Sequence, residues 1–266
     1  MLQFTLTVIR SFCFSVILLS QRGHVHPSPS PSIIAFVSQT GNVMKTTLAA
    51  AVAVALGEAG IPTVAIDLDR EHRALGASLE TWAADRRVRH PERVQIEVEA
   101  AETAEEALQL ARRSGREMAI IDCPSRATAA TALIAGAADF VVMPLVPGVK
   151  DAALTVVTVG RIIMAGVRAD RLAVILTRVS TEAEARDHHA WLRATPVCGQ
   201  EIRVIDAVVP ERTAYRNAIG KGLTILEAQP VSVRRDARAA VNGIIEAYME
   251  ASGASGGRET AQRGAA

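Results

Sequence analysis

A lysine, two threonines and three aspartates stand where they could hold a phosphorylated ligand. Lys45-Thr46-Thr47 opens an alanine-rich stretch directly after a short polar turn, and that turn follows an apolar run at 33–37. Strand, tight turn and helix start, in that order, make an anion site. The unpaired N–H groups of a helix N-terminus and an ammonium group converge there. The Thr46 hydroxyl is of the type that ligates magnesium. Asp67 and Asp69 close a second apolar run, and Asp122 closes a third at 118–121. Carboxylates gathered near a polyphosphate repel it unless a cation lies between them, so this set requires Mg2+. The strict pattern G-x-x-x-x-G-K-[ST] is not met, because Gln39 and Met44 occupy its glycine positions.

The elements that would position these groups alternate along the chain. Strands are expected at 33–37, 63–66, 94–98, 118–121, 140–143, 172–176 and 204–209. Helices are expected at 46–59, 104–114, 127–135, 150–165, 182–194, 213–219 and 231–251. That alternation predicts an α/β fold, doubly wound, with a mostly parallel sheet and helices on both faces. Gly60-Ile61-Pro62 is a helix stop, glycine just past the end and proline beyond it. In such sheets ligands sit outside the carboxyl ends of the strands. The loop before Lys45, together with Asp67, Asp69 and Asp122, should therefore meet in one crevice.

At 266 residues and 49% hydrophobic, the chain can fill one α/β domain. Aromatics make up only 3%, so the core must be built from Ala, Val, Ile and Leu. A net charge of +1 says nothing for or against a nucleic-acid partner, since a local basic face can hide in a neutral total. Cys13, Cys123 and Cys198 are widely spaced and lack C-x-x-C, which argues against a disulfide framework or zinc site and for a reducing cytoplasm. His188-His189 and His24-x-His26 lack a third ligand at metal-binding spacing. Residues 1–31 read as an extension outside the domain, disordered or misannotated. Arg10 interrupts their apolar stretch, which suits neither a signal peptide nor a membrane helix. The domain is expected at 32–250, with a disordered Gly/Ala/Ser-rich tail at 251–266.

Residues 40–46 resemble the deviant phosphate loop K-G-G-x-G-K-[ST] of the ParA/MinD superfamily of P-loop ATPases. Gly41, Lys45, Thr46 and Thr47 agree with it. Thr40 stands in place of the signature lysine, Asn42 in place of the second glycine, and Met44 in place of the glycine before the main lysine. Asp67-Leu68-Asp69 is similar to the family's D-x-D segment, and the stretch at 119–125 to its I-I-D-x-P-P strand end. The stretch from 208–212 through 218–222 resembles its nucleotide-base segment and glycine turn. The resemblance runs from about 33 to 230.

It implies ATP and Mg2+ as ligands. Gly41, Asn42, Val43, Lys45, Thr46 and Thr47 would surround the phosphates, and Thr46, Asp67 and Asp122 the metal. Lys45 and Asp69 would carry the catalytic roles, the lysine on the phosphate oxygens and the carboxylate on the attacking water. Thr177, Pro210 and Arg212 would face the base, although relatives carry an Asn where Thr177-Arg178 stands. Within the superfamily the tail lacks the amphipathic stripe of a membrane-docking member, so no stable membrane anchor is expected. The plasmid and chromosome partition branch is the most similar. That branch implies a homodimer on nucleotide binding, a centromere-binding ParB-type partner, and non-specific DNA binding, here through Arg234, Arg235 and Arg238. Two alternatives stay open: an adaptor of the same fold that no longer uses nucleotide, and a cofactor-biosynthesis ATPase acting on a small acid.

Overall fold

The computed structural model describes residues 30–69, 76, 78–125 and 129–263. Seven strands form one sheet in the order β3-β2-β4-β1-β5-β6-β7. They are β1 (Ser32–Ser38), β2 (Thr63–Asp67), β3 (Glu97–Ala100), β4 (Met118–Ser125), β5 (Phe140–Leu145), β6 (Leu172–Val179) and β7 (Arg203–Pro210). Every neighbouring pair is parallel. The helices are α1 (Lys45–Glu58), α2 (Leu79–Arg89), α3 (Ala104–Arg113), α4 (Ala129–Ala137), α5 (Val149–Met164), α6 (Glu182–Arg193), α7 (Thr213–Ile219) and α8 (Arg234–Arg263).

Side chains alternate across each strand, and so the sheet has two cores. Ile34 and Phe36 of β1 pack with α1, α2, α7 and α8 on one face. Ile33, Ala35 and Val37 pack with α3, α4, α5 and α6 on the other. Because helices cover both faces, the strands read as continuous apolar runs rather than alternating ones. Alanines 49, 50, 51 and 53 let the buried α1 lie close against the sheet. The helix ends as expected: Gly60 takes φ 79, and the Ile61 N–H reaches back to the Leu56 carbonyl at 3.0 Å.

All seven expected strands are found, and the expectation missed one helix, α2. β3 begins three residues later than the reading at 94–98, because Val94 to Ile96 form the approach to the strand. The final helix continues to Arg263 instead of stopping at 251, through a stretch holding Gly253, Gly256 and Gly257 that helix propensity does not account for. The extension at 1–29, with His24 and His26, lies outside the described residues. Among the described residues, no helix is long and apolar enough to cross a membrane.

Candidate functional site

The chain order reverses at β1, which lies between β4 and β5. Its carboxyl end is therefore the switch point of the sheet, where such folds open a crevice. The loop from β1 to α1 fills that position. Asn42 has φ 62, and Met44, the N-cap of α1, has φ 64 and ψ 24. Asn42 and Met44, which stand where the resembled pattern has glycines, thus take a left-handed backbone. The carbonyls of the loop are tied down: Ser38 Oγ donates to Thr40 O at 2.8 Å, Arg178 Nη1 to Asn42 O at 3.2 Å, and Thr177 Oγ1 to Val43 O at 3.1 Å. In a trans peptide the N–H points away from its carbonyl. The Val43 and Met44 N–H groups consequently point away from β6. α1 has no side-chain cap and no acidic residue in its first turn, so its positive end is open to an anion.

Lys45 sits under this loop, only 4% exposed, with Nζ 3.5 Å from Asp122 Oδ1 and 3.7 Å from Asp69 Oδ2. Thr46 Oγ1 donates to Asp122 Oδ2 at 2.5 Å. Among the described residues Asp122 Oδ1 has no hydrogen-bond donor, although it is buried. Burial pushes the Asp122 carboxyl above its ordinary range; Lys45 and the Thr46 hydroxyl pull it down, and Asp67 and Asp69 add to the rise. A buried carboxylate with one oxygen that carries no hydrogen bond, only the Lys45 ammonium at 3.5 Å, beside a threonine hydroxyl is a donor set that fits a magnesium ion. Such an ion binds through one or two protein oxygens, with phosphate and water completing its shell. Among the described residues, no cluster of three or more His, Cys, Asp or Glu could hold a metal. The neighbouring Cys123 thiol is pushed up to about 12, chiefly by burial, and is inert at neutral pH.

Asp67 pairs with Asp122 across β2 and β4, yet it faces different work. Its Oδ1 accepts from the Asp69 N–H and its Oδ2 from the Glu80 N–H, both at 3.0 Å. The expected metal set thus divides: Thr46 and Asp122 come together directly, while Asp67 braces the backbone of Asp69 and of α2.

A cavity of about 540 Å³ opens in front of Lys45. Of the residues expected around a nucleotide, Asn42, Val43, Lys45, Thr46, Thr47 and Arg212 line it. Gly41, Thr177, Pro210, Asp69 and Asp122 are not among its lining residues. Thr177 is fully buried, with its hydroxyl on the loop. The lining also includes Arg178, whose φ of 54 turns it toward the opening where the sequence pointed to its neighbour. Its Nε donates to Glu211 Oε2 at 2.5 Å, and Arg216 pairs with the other oxygen of Glu211. Trp82 and Asp85 of α2 form the opposite wall. The arginines at the start of α8 are not equivalent. Arg234 Nε donates to the Ala228 carbonyl at 2.7 Å, whereas Arg235 and Arg238 are exposed. His188 is engaged with the backbone, on the Gly148 N–H and the Glu184 carbonyl, both at 2.9 Å.

The CobQ/CobB/MinD/ParA nucleotide binding domain matches residues 34–225, and the chain belongs to that family. No curated protein sequence matches it. Among solved structures it is similar to the MinD cell division protein of Aquifex aeolicus, with TM-score 0.62, 16% identity, and coverage of 81% of this chain and 97% of that one. The septum site-determining protein MinD of Pyrococcus horikoshii OT3, complexed with Mg-ADP, gives TM-score 0.55 and 21% identity over 81% of this chain and 95% of that one. A protein assigned to plasmid partition in Borrelia burgdorferi B31, bound to AMPPNP, gives TM-score 0.58 and 13% identity over 83% of this chain and 99% of that one. At these identities the likeness is one of fold.

Proposed function

We propose that this chain binds Mg-ATP in the crevice above α1 and acts as a ParA-type ATPase in plasmid or chromosome partition, with hydrolysis slowed by its altered loop. The observation that carries the reading is the buried Lys45 held between Asp69 and Asp122, with Thr46 on the same Asp122 carboxylate. An ammonium buried at an open helix N-terminus favours a polyanion. Bound Mg2+ would neutralise phosphate oxygens, with Thr46 and Asp122 holding it. Lys45 would leave its carboxylates for the phosphates, freeing Asp69 to accept a proton from a nearby water. Arg178, Arg212 and Arg216 supply the rim on which the nucleoside would rest.

The partition role draws on the branch that the sequence resembles, and with it a nucleotide-dependent homodimer, a ParB-type partner and DNA held through exposed arginines. A second reading, the adaptor that no longer uses nucleotide, is favoured by one observation: side chains at left-handed Asn42 and Met44, with no lysine at position 40. The two separate in a calorimetric titration with AMP-PNP, with and without magnesium. The ATPase reading expects binding that strengthens at least tenfold with Mg2+ and disappears in Lys45→Ala. A flat titration of a folded wild-type protein overturns it and leaves the adaptor.

A further inference from the structure

Helix α2 is fastened at both ends, toward its C-terminus by a buried ion pair. Arg86, 1% exposed, forks onto Glu227 with Nη1–Oε2 at 2.8 Å and Nη2–Oε1 at 3.0 Å. Its Nε donates to the Val94 carbonyl at 2.8 Å and its Nη1 also reaches the Gly222 carbonyl at 3.2 Å. Glu227 further accepts from the Thr224 N–H and hydroxyl. Trp82 Nε1 donates to the Leu223 carbonyl at 3.1 Å, and the guanidinium lies 5.5 Å from the Trp82 ring. The backbones meet here. Gly222 has φ 75, and a Cβ on it would lie 2.7 Å from the Arg86 nitrogen. At the other end the α2 N-terminus sits on Asp67, through the Glu80 N–H, and on Ser78.

A buried ion pair is a poor source of net stability, since desolvation offsets most of its attraction. A bidentate fork does fix geometry, in distance and in plane. We propose that the Arg86–Glu227 pair positions the nucleotide site. By setting α2 on the 222–227 turn, it holds the Glu80 N–H on Asp67 and, through Asp67, the Asp69 carboxylate beside Lys45. Asp67 is then a positioning residue, as are Arg86 and Glu227, and the cavity wall made by Trp82 and Asp85 moves with them. The link from Arg86 to Asp67 needs no nucleotide. Its effect on binding rests on the function proposed above.

The test uses the full chain, 15N-labelled, as wild type, Arg86→Lys and Glu227→Gln. Each substitution keeps a polar partner but removes the matched fork, and circular dichroism identifies a temperature at which all are folded. Expected are displaced amide signals for Asp69 and Glu80 and at least tenfold faster hydrogen exchange at both, with Arg86→Lys the milder variant. A pair that only stabilises its own surroundings would move the signals of 222–227 and leave Asp69 and Glu80 as in wild type; that result overturns the proposal. AMP-PNP with Mg2+ is then titrated into the same proteins, where at least tenfold weaker binding in the variants is expected. Wild-type affinity in variants with displaced Asp69 and Glu80 signals also overturns it. A wild type that takes up no nucleotide counts against the ATPase reading, and the amide result alone then decides the positioning role.

Discussion

Thr46 and Asp122 share a hydrogen bond of 2.5 Å, and the second, buried oxygen of that carboxylate has no hydrogen-bond donor among the described residues, only the Lys45 ammonium at 3.5 Å. The arrangement is unfavourable for the nucleotide-free fold and suited to a cation, which places a stability cost at the site. Asp122→Asn should therefore raise the melting temperature at neutral pH, while removing any magnesium dependence of nucleotide binding. The pH dependence has a definite sign. The folded chain holds a proton at Asp122 above the ordinary 3.8, where the unfolded chain has released it. The contribution of this group to stability therefore falls as pH rises from about that value through the raised one. Asp122→Asn should flatten that slope in thermal melts across pH 4–8, and an unchanged slope would contradict it.

Met44 and Asn42 carry side chains on left-handed backbone, a conformation that costs roughly 1–2 kcal/mol for most residues and less for asparagine. Asn42 is exposed, so Asn42→Gly should change stability by only a few tenths of a kcal/mol. Met44 also packs on the core, so Met44→Gly exchanges relief of strain for lost contact, with little net change in melting temperature. Its effect should appear in binding, as up to about tenfold tighter AMP-PNP by calorimetry, because the loop N–H groups can then approach the phosphates. A large loss of melting temperature without any gain in affinity would show that the methionine holds the loop together.

Much of this was legible in residue order. The strands announce themselves as apolar runs, and Lys45, Asp69 and Asp122 meet as their strand-end positions imply. Helix α2 was missed for a physical reason. Its inward stripe is Leu79, Trp82, Ala83 and Arg86, spaced as a helix requires, but the last member is charged. An arginine buried by a partner far along the chain looks, in sequence, like an exposed one. The same limit hid the bracing role of Asp67, which depends on the Glu80 N–H. Thr177, expected at the base, is buried with its hydroxyl on the Val43 carbonyl, and Arg178, with φ 54, lines the cavity instead, which depends on a backbone angle that residue order does not show.

DNA binding, if it uses the start of α8, should depend on Arg235 and Arg238 and not on Arg234, which holds the Ala228 carbonyl. Arg235→Ala with Arg238→Ala should weaken binding to random-sequence duplex in the AMP-PNP form and shallow its salt slope by about one per lost phosphate contact. Arg234→Ala should instead lower stability by about 1 kcal/mol for the lost bond, seen as a lower melting temperature. Salt-insensitive binding in the wild type would remove this surface from consideration.

Thr177 gives the sharpest check on how the loop is held. Its hydroxyl is the donor on the Val43 carbonyl, and the residue is fully buried on the core strand β6. Thr177→Val keeps the shape and leaves that carbonyl without its donor, which should cost about 1–3 kcal/mol. The peptide unit that presents the Met44 N–H would then be free to rotate, so AMP-PNP binding should weaken more than the loss of stability explains. Thr177→Ser retains the hydroxyl and should restore binding even where the missing methyl lowers stability. If valine and serine weaken binding equally, packing beneath the loop governs the site and the hydrogen bond does not.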